Sequence, residues 1–299
     1  MIKLPNHQVG LATLWFVLLL IGWRSVVDTF ALAMHDSNST YILLILPISA
    51  AIMFLEWRSL RTIATMNLRN GFVILAVAGL TASIALIVPI PIPSDALLSL
   101  KMFALVLAWI GAFELFFGTR ALRTALFPLL LMFGLVPIPR LALNEVVTLL
   151  QHGSAMTARL FFAAFDVPVI QSGIRIAIPG LTLEVAEECS SIRSSSMLLV
   201  ATVVMAQLLL RSPWRKALLI CLVVPLSLAK NGLRIFTIGM LTTRVDPGYL
   251  TGRFHQQGGI LFFLVALIGV LVPLWVLRRG ENLYPKSDPI REMTVLESK

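Results

Sequence analysis

The chain has 299 residues, 58% of them hydrophobic and 13% charged, with a mean hydropathy of +0.90. A soluble domain of this length has no way to bury that much apolar surface, so the class is a polytopic membrane protein. The formal charge of +9 invites a nucleic-acid partner. The Lys and Arg residues, however, sit in pairs and triplets at the ends of apolar runs, which is the positive-inside pattern. Without a basic stripe interleaved with aromatics, a phosphate-tracking groove is excluded.

About 20 apolar residues cross a bilayer core, and hydropathy predicts eight spans in chain order, over 10–33, 41–56, 72–92, 97–117, 121–138, 193–211, 217–241 and 256–277. The first reads as a retained helix rather than a signal peptide, because no convincing small-residue cleavage site follows it. Arg58, Arg61 and Arg69 share one loop, Arg120 and Arg123 a second, and Arg211, Arg215 and Lys216 a third. These loops fall on the same side as Lys3 and the basic tail, and placing that side in the cytoplasm puts both termini there. The expected organisation is a single transmembrane domain over 1–279 with a short cytoplasmic tail over 280–299.

The stretch from Pro139 to Glu188 is the longest segment that does not read as a span, and it falls on the outer side. In Leu141 to Phe165 apolar residues recur at helical spacing with Glu145, Gln151, His152 and Arg159 between them. That pattern predicts an amphipathic helix lying at the membrane surface or capping the bundle. Ile174, Ile176 and Ile178 then alternate with Arg175 and Ala177, Pro179-Gly180 breaks the run, and Leu181, Leu183 and Val185 resume the alternation. This is a β-hairpin signal. The expected fold is therefore an all-α bundle of about eight transmembrane helices, with a short outer-face β-hairpin and an amphipathic helix before Cys189.

Cys189 follows Glu187 and Glu188 and precedes a serine-rich start to the sixth span. A helix N-terminus carries partial positive charge and free N–H groups, which lower a thiol's pKa and hold an oxyanion. The two glutamates oppose this, so a cationic partner is required. Most free cysteines are small buried apolar residues; the polar neighbours of Cys189 weigh against that here. Cys221, the other cysteine, falls near the opposite face, so no disulfide is expected.

Arg234 lies deep in the seventh span, roughly 26 Å from its inner end at 1.5 Å per residue, near the outer edge of the core. A charge there faces the bundle interior or water and is a functional candidate. Lys230, one turn below, reads as a snorkelling or anchoring residue, and Asn231 stands at i,i+3 to Arg234. His255 opens the eighth span, with a pKa range suited to acid–base work, and Gly258 and Gly259 would let another helix approach. Each residue alone has a bland reading. Jointly, topology sets a thiol, a guanidinium and an imidazole at one depth on three consecutive spans, a complete set for acyl transfer. One His and one Cys make no zinc site, and neither metal nor cofactor is expected.

Three blocks, Glu187-Glu188-Cys189-Ser190, Asn231-Gly232-Leu233-Arg234 and His255-Gln256-Gln257-Gly258-Gly259, together with the lead-in from Gly173, resemble the exosortase/archaeosortase family of membrane transpeptidases. The detailed similarity covers roughly 120–278. The resemblance implies Cys189 as nucleophile, His255 as general acid/base and Arg234 as stabiliser of oxyanion or substrate, with Glu187, Ser190, Asn231 and Gly259 in support. It implies membrane-anchored protein substrates whose C-terminal sorting signal is a short motif, a transmembrane helix and a basic cluster, and an acceptor nucleophile that the sequence does not identify. It further implies a bacterial inner membrane, a site at the periplasmic face and a link to exopolysaccharide. Ser191 departs from the family's usual glycine. Two rivals stand beside it: a transporter or flippase using Lys230, Arg234 and Glu114, and a non-catalytic assembly factor for polysaccharide export. The absence of an inverted repeat or of paired broken helices weighs against the first.

Overall fold

The computed structural model describes residues 5–87, 93–185, 192–250 and 259–283. Among the described residues seven helices are long and apolar enough to cross a membrane, or eight if the bent pair Leu126–Leu135 and Arg140–Ala164 counts as one span. This is the polytopic all-α fold expected from hydropathy. The chain divides into two compact units, Met1–Val146 and Val147–Lys299.

The first unit is built on α1 (Pro5–His35), α2 (Ile42–Ile63), α3 (Leu68–Ile87), α4 (Ser94–Thr124) and the short α5 (Leu126–Leu131). Helix α4 is the buried member, and Met102, Ala112, Phe113 and Phe117 are almost wholly enclosed. Helices α1 and α3 flank it antiparallel. Gly10 faces Phe116 while Gly22 faces Leu105, and Gly71 faces Leu115 while Gly111 faces Leu75. Trp15 Nε1 also donates to the Trp109 carbonyl at 3.0 Å.

Helix α4 breaks at Gly118, whose φ of 75° is open to glycine and strained for other residues. A Cβ there would sit 2.0 Å from the Thr65 carbonyl oxygen. The break releases backbone carbonyls, and the extended segment between α2 and α3 takes them: Thr65 N–H donates to Phe117 O and Asn67 N–H to Leu115 O.

The fifth expected span, 121–138, is not a straight helix. Past the Gly118 break the chain runs through α5 and a 3-10 turn at Met132–Leu135, then bends by 95° into α6 (Arg140–Ala164). Pro137 and Pro139 explain the interruption, since each lacks an N–H and each disfavours helix in the residue before it. Asp95 Oδ2 accepts the Arg140 N–H at 2.7 Å and so caps the new helix.

The second unit holds most of α6, a three-stranded sheet, α7 (Ile192–Leu209), α8 (Pro213–Cys221), α9 (Val223–Arg244) and α10 (Gly259–Leu283). Helices α6 and α9 run side by side and parallel. Gly153 faces Leu228, Ser154 bonds Asn231, Thr157 faces Gly232 and Phe162 covers Gly239, so the partners advance together. The contact extends for roughly 17 Å of α9. A Cβ at Gly232 would lie 2.7 Å from Thr157 Cβ and 2.9 Å from the Ala158 nitrogen, so only glycine permits this approach. The amphipathic helix expected over 141–165 is present as α6. One of its apolar stripes, through Ala155, Ala158 and Phe162, packs with the sheet and with Ile235 of α9, and another, through Leu149, Met156 and Leu160, is exposed.

Helix α6 ends in a Schellman motif, in which Val167 N–H reaches Phe162 O, Asp166 N–H reaches Ala163 O, and Asp166 takes the left-handed position at φ 56°. The sheet follows in the order β1 (Ile170–Ser172), β2 (Arg175–Ile178), β3 (Leu181–Glu184), all antiparallel. The expected hairpin is present, turning at Pro179-Gly180 with Gly180 at φ 82°. Its third strand, β1, was not foreseen. One face of the sheet, through Ile176, Ile178, Leu183 and Val185, packs with Ala158 and Phe162 of α6 and Ile235 of α9. Elsewhere in this unit α7, α8, α9 and α10 share a cluster around Leu198, Leu219, Val223 and Val270.

Candidate active site

Helix α9 carries a polar stripe in an otherwise apolar span. Ser227, Lys230 and Asn231 are buried, and Arg234 is half-buried. Their spacing of three, four and seven residues sets them on one face. Each buried member needs a polar partner, because an unpaired group in this setting costs on the order of 1–3 kcal/mol or more.

Two of those partners lie on different elements. Lys230 Nζ donates to Ser194 Oγ in the first turn of α7, at 2.5 Å. Asn231 Nδ2 donates to Ser154 Oγ of α6, at 2.8 Å. One turn earlier on α6, Gln151 Nε2 donates to the Val185 carbonyl at 2.9 Å, and Val185 N–H donates to Ile174 O at 3.0 Å. Val185, with 1% of its surface exposed, is thus fixed from both sides at the end of the sheet. Leu183 of β3 also reaches Gly239 of α9, 3.2 Å from where a Cβ would stand.

The segment 186–191 accordingly joins two ends that are both tied down. Before it, β3 and Val185 are held by α6 and α9; after it, Ser194 is held by Lys230 of α9. Along the helix axis Arg234 stands between these attachments, one turn past Lys230 and before Gly239.

The sequence-derived residues divide accordingly. Arg234, Asn231 and Gly259 lie among the described residues, whereas Cys189, His255, Glu187 and Ser190 lie outside them, as do Glu188, Ser191 and Gly258. Lys230 is 4% exposed and turned to Ser194, which corrects the snorkelling alternative and supports the anchoring one. Gly259 begins α10, and a Cβ placed there would meet nothing within 4 Å among the described residues. Cys221 is an exposed free thiol at the end of α8.

Sequence reasoning missed Gln151, Ser154 and Ser194. A signal was present: Gln151 and Ser154 stand three apart on the face of α6 that also carries Val147, Ala155, Ala158 and Phe162, all buried. Polar side chains on an apolar stripe require hydrogen-bonding partners.

A family model, transmembrane exosortase, matches residues 23–272. The chain belongs to the transmembrane exosortase family. The match spans both units, from within α1 to within α10, and so takes in the α6–α7–α9 arrangement and the segment carrying Cys189. Comparison with curated proteins and with solved structures gave no match. This exosortase is a multi-pass membrane protein, and its family assigns it an exosortase-type function in the membrane.

Proposed function

We propose that this exosortase is a cysteine transpeptidase acting on membrane-anchored proteins that end in a short motif, a transmembrane helix and a basic cluster. Its nucleophile is Cys189, its general acid/base His255 and its oxyanion or substrate stabiliser Arg234. The observation that carries the reading is the pair of attachments flanking residues 186–191 on the helices that hold Arg234. Cys189 stands four positions after Val185 and three before Ile192, reaches of at most about 14 and 11 Å when extended. A tether this short bounds how far the Cys189 thiol can lie from those two attachments. Positioning of this kind is a principal source of rate enhancement in acyl transfer.

The chemistry follows from the three groups. The Cys189 thiolate attacks the carbonyl carbon of the scissile peptide bond, and Arg234 balances the charge that develops on the carbonyl oxygen. Collapse of the tetrahedral adduct breaks the C–N bond, and the leaving amine takes its proton from the His255 imidazolium. A thioester remains. An acceptor amine or hydroxyl then attacks it, giving its proton to the neutral imidazole, and the C–S bond breaks to restore the thiolate. Glu187, Ser190, Asn231 and Gly259 are assigned supporting places, Asn231 by tying α9 to α6. The site belongs at the periplasmic face of a bacterial inner membrane with both termini in the cytoplasm.

Co-expression with a tagged substrate of the tripartite form tests the reading. Wild type shortens the substrate at the motif, while Cys189→Ala leaves it intact and Cys189→Ser loses nearly all processing. Equal shortening in the Cys189→Ala strain would sink it. The mass of the new C-terminus separates transfer from hydrolysis.

A further inference from the structure

Where α2 gives way to α3 the first unit concentrates positive charge, with the Arg61 guanidinium 5.3 Å from the centroid of the Trp57 ring. Arg58 and Arg61 close α2, Arg69 opens α3, and Arg120 and Arg123 follow the Gly118 break in α4; all five are exposed. They are gathered by the backbone rather than scattered. Thr65 and Asn67 bond the carbonyls of Phe117 and Leu115, and Asn70 Nδ2 reaches Thr119 Oγ1 at 3.4 Å. That places Arg69 beside the turn carrying Arg120.

Among the described residues no carboxylate forms an ion pair with them, and the one ion pair is Arg175 with Glu184, in the other unit. The acidic residues at this end are Glu56, half-buried, and Glu114, buried and already accepting from Thr119 Oγ1 at 2.6 Å. The second unit treats its own basic turn differently. There Arg215 donates to Leu277 O, Lys216 donates to Gln207, and Glu281 accepts the Arg211 and Ser212 N–H groups.

Exposed apolar side chains stand directly beside the five arginines. Phe54 and Leu55 precede Arg58, Met66 lies in the α2–α3 connection, and Phe72 follows Arg69. A guanidinium pairs a phosphate diester through two parallel hydrogen bonds, and a basic cluster next to a membrane span favours acidic lipid. A ligand that satisfies both halves of the surface has an anionic head and hydrocarbon tails.

We propose that the arginine cluster at the α2–α3 end of the first unit is a binding site for anionic phospholipid, with the phosphate among Arg61, Arg69 and Arg120 and the acyl chains against Phe54 and Phe72. The occupant is a bilayer lipid of net negative headgroup, not a soluble phosphate. The site is independent of the chemistry proposed at Cys189.

The test uses the full chain in neutral detergent, with thermal unfolding followed by tryptophan fluorescence and bound lipid counted by native mass spectrometry. Phosphatidylglycerol should raise the Tm of wild type by about 3–5 °C and leave one or more lipids bound, whereas phosphatidylcholine should do neither. The triple variant R61Q/R69Q/R120Q should lose most of the rise, and R278Q/R279Q in the second unit should keep it. If the triple variant does not fold, the three single variants should each retain fewer bound lipids than wild type. Equal shifts from both lipids, an unchanged shift in the triple variant, or an equal shift from soluble glycerol phosphate would overturn the proposal.

Discussion

Both units bury polar side chains inside apolar helices, and they use them for different ends. In the first unit, Glu114, Thr119 and Asn67 form a clasp at the Gly118 break. Thr119 donates to Glu114 and Asn67 donates to Thr119 at 2.9 Å, while the extended segment 64–67 takes the freed carbonyls. The result is a mended helix. In the second unit, Gln151, Ser154, Ser194, Lys230 and Asn231 bond between elements and leave α9 itself unbroken through Arg244. There the polar groups hold the two chain ends that flank residues 186–191. The same burial maintains a backbone in one place and ties separate elements together in the other.

That contrast yields a first and largest expectation. Gly118→Ala forces a Cβ against the Thr65 carbonyl at a positive φ and should destabilise the protein by about 2–3 kcal/mol. Processing per folded molecule, measured on purified protein below its Tm, should stay near wild type. A selective loss of processing at full stability would erase the distinction between the units. Asn231→Leu should cost a comparable about 1–3 kcal/mol, because it leaves Ser154 buried without its donor. In this case processing should fall by more than the folded fraction does.

Lys230→Met sharpens the contrast further. It removes the donor to Ser194 while keeping the apolar stem, so this tie between α9 and the first turn of α7 is lost with little change in packing. The expected result is a fall in processing of roughly tenfold or more, from misplacement of the adjoining chain. Lys230→Arg should recover part of it, and an unchanged rate in Lys230→Met would remove the anchoring role. Smallest of all, Cys221→Ala should alter neither stability nor processing. Arg175→Gln should change stability by less than about 1 kcal/mol, because both partners of the Arg175–Glu184 pair are exposed.

Much of the architecture was legible in the chain. Length and hydropathy gave the spans, and strand alternation around Pro179-Gly180 gave the β2–β3 hairpin. What hydropathy does not carry is the identity of neighbours. The 121–138 run is apolar enough to cross, yet Gly118, Pro137 and Pro139 break and bend it. The α6 sequence is apolar on more than one face, and the face that meets α9 is identified by Gly232, opposite Thr157. Strand β1 escaped notice because Ile170–Ser172 is three residues long and has no alternation to display.

At the candidate site, Cys189, Arg234 and His255 are proposed from their types and topology, whereas the polar contacts of the neighbouring helices were not readable. Ser154 and Ser194 are weak signals alone, since serine in a helix commonly bonds its own backbone. Their meaning comes from Asn231 and Lys230 across the gap.

The most direct test of the central claim is peptide mass spectrometry of the enzyme purified during turnover of a tripartite substrate. An acyl adduct on the peptide containing Cys189, absent from Cys189→Ala and lost on treatment with hydroxylamine, is the predicted result. An adduct on another residue, such as Ser194 beside Lys230, or continued processing by Cys189→Ala, would contradict the account.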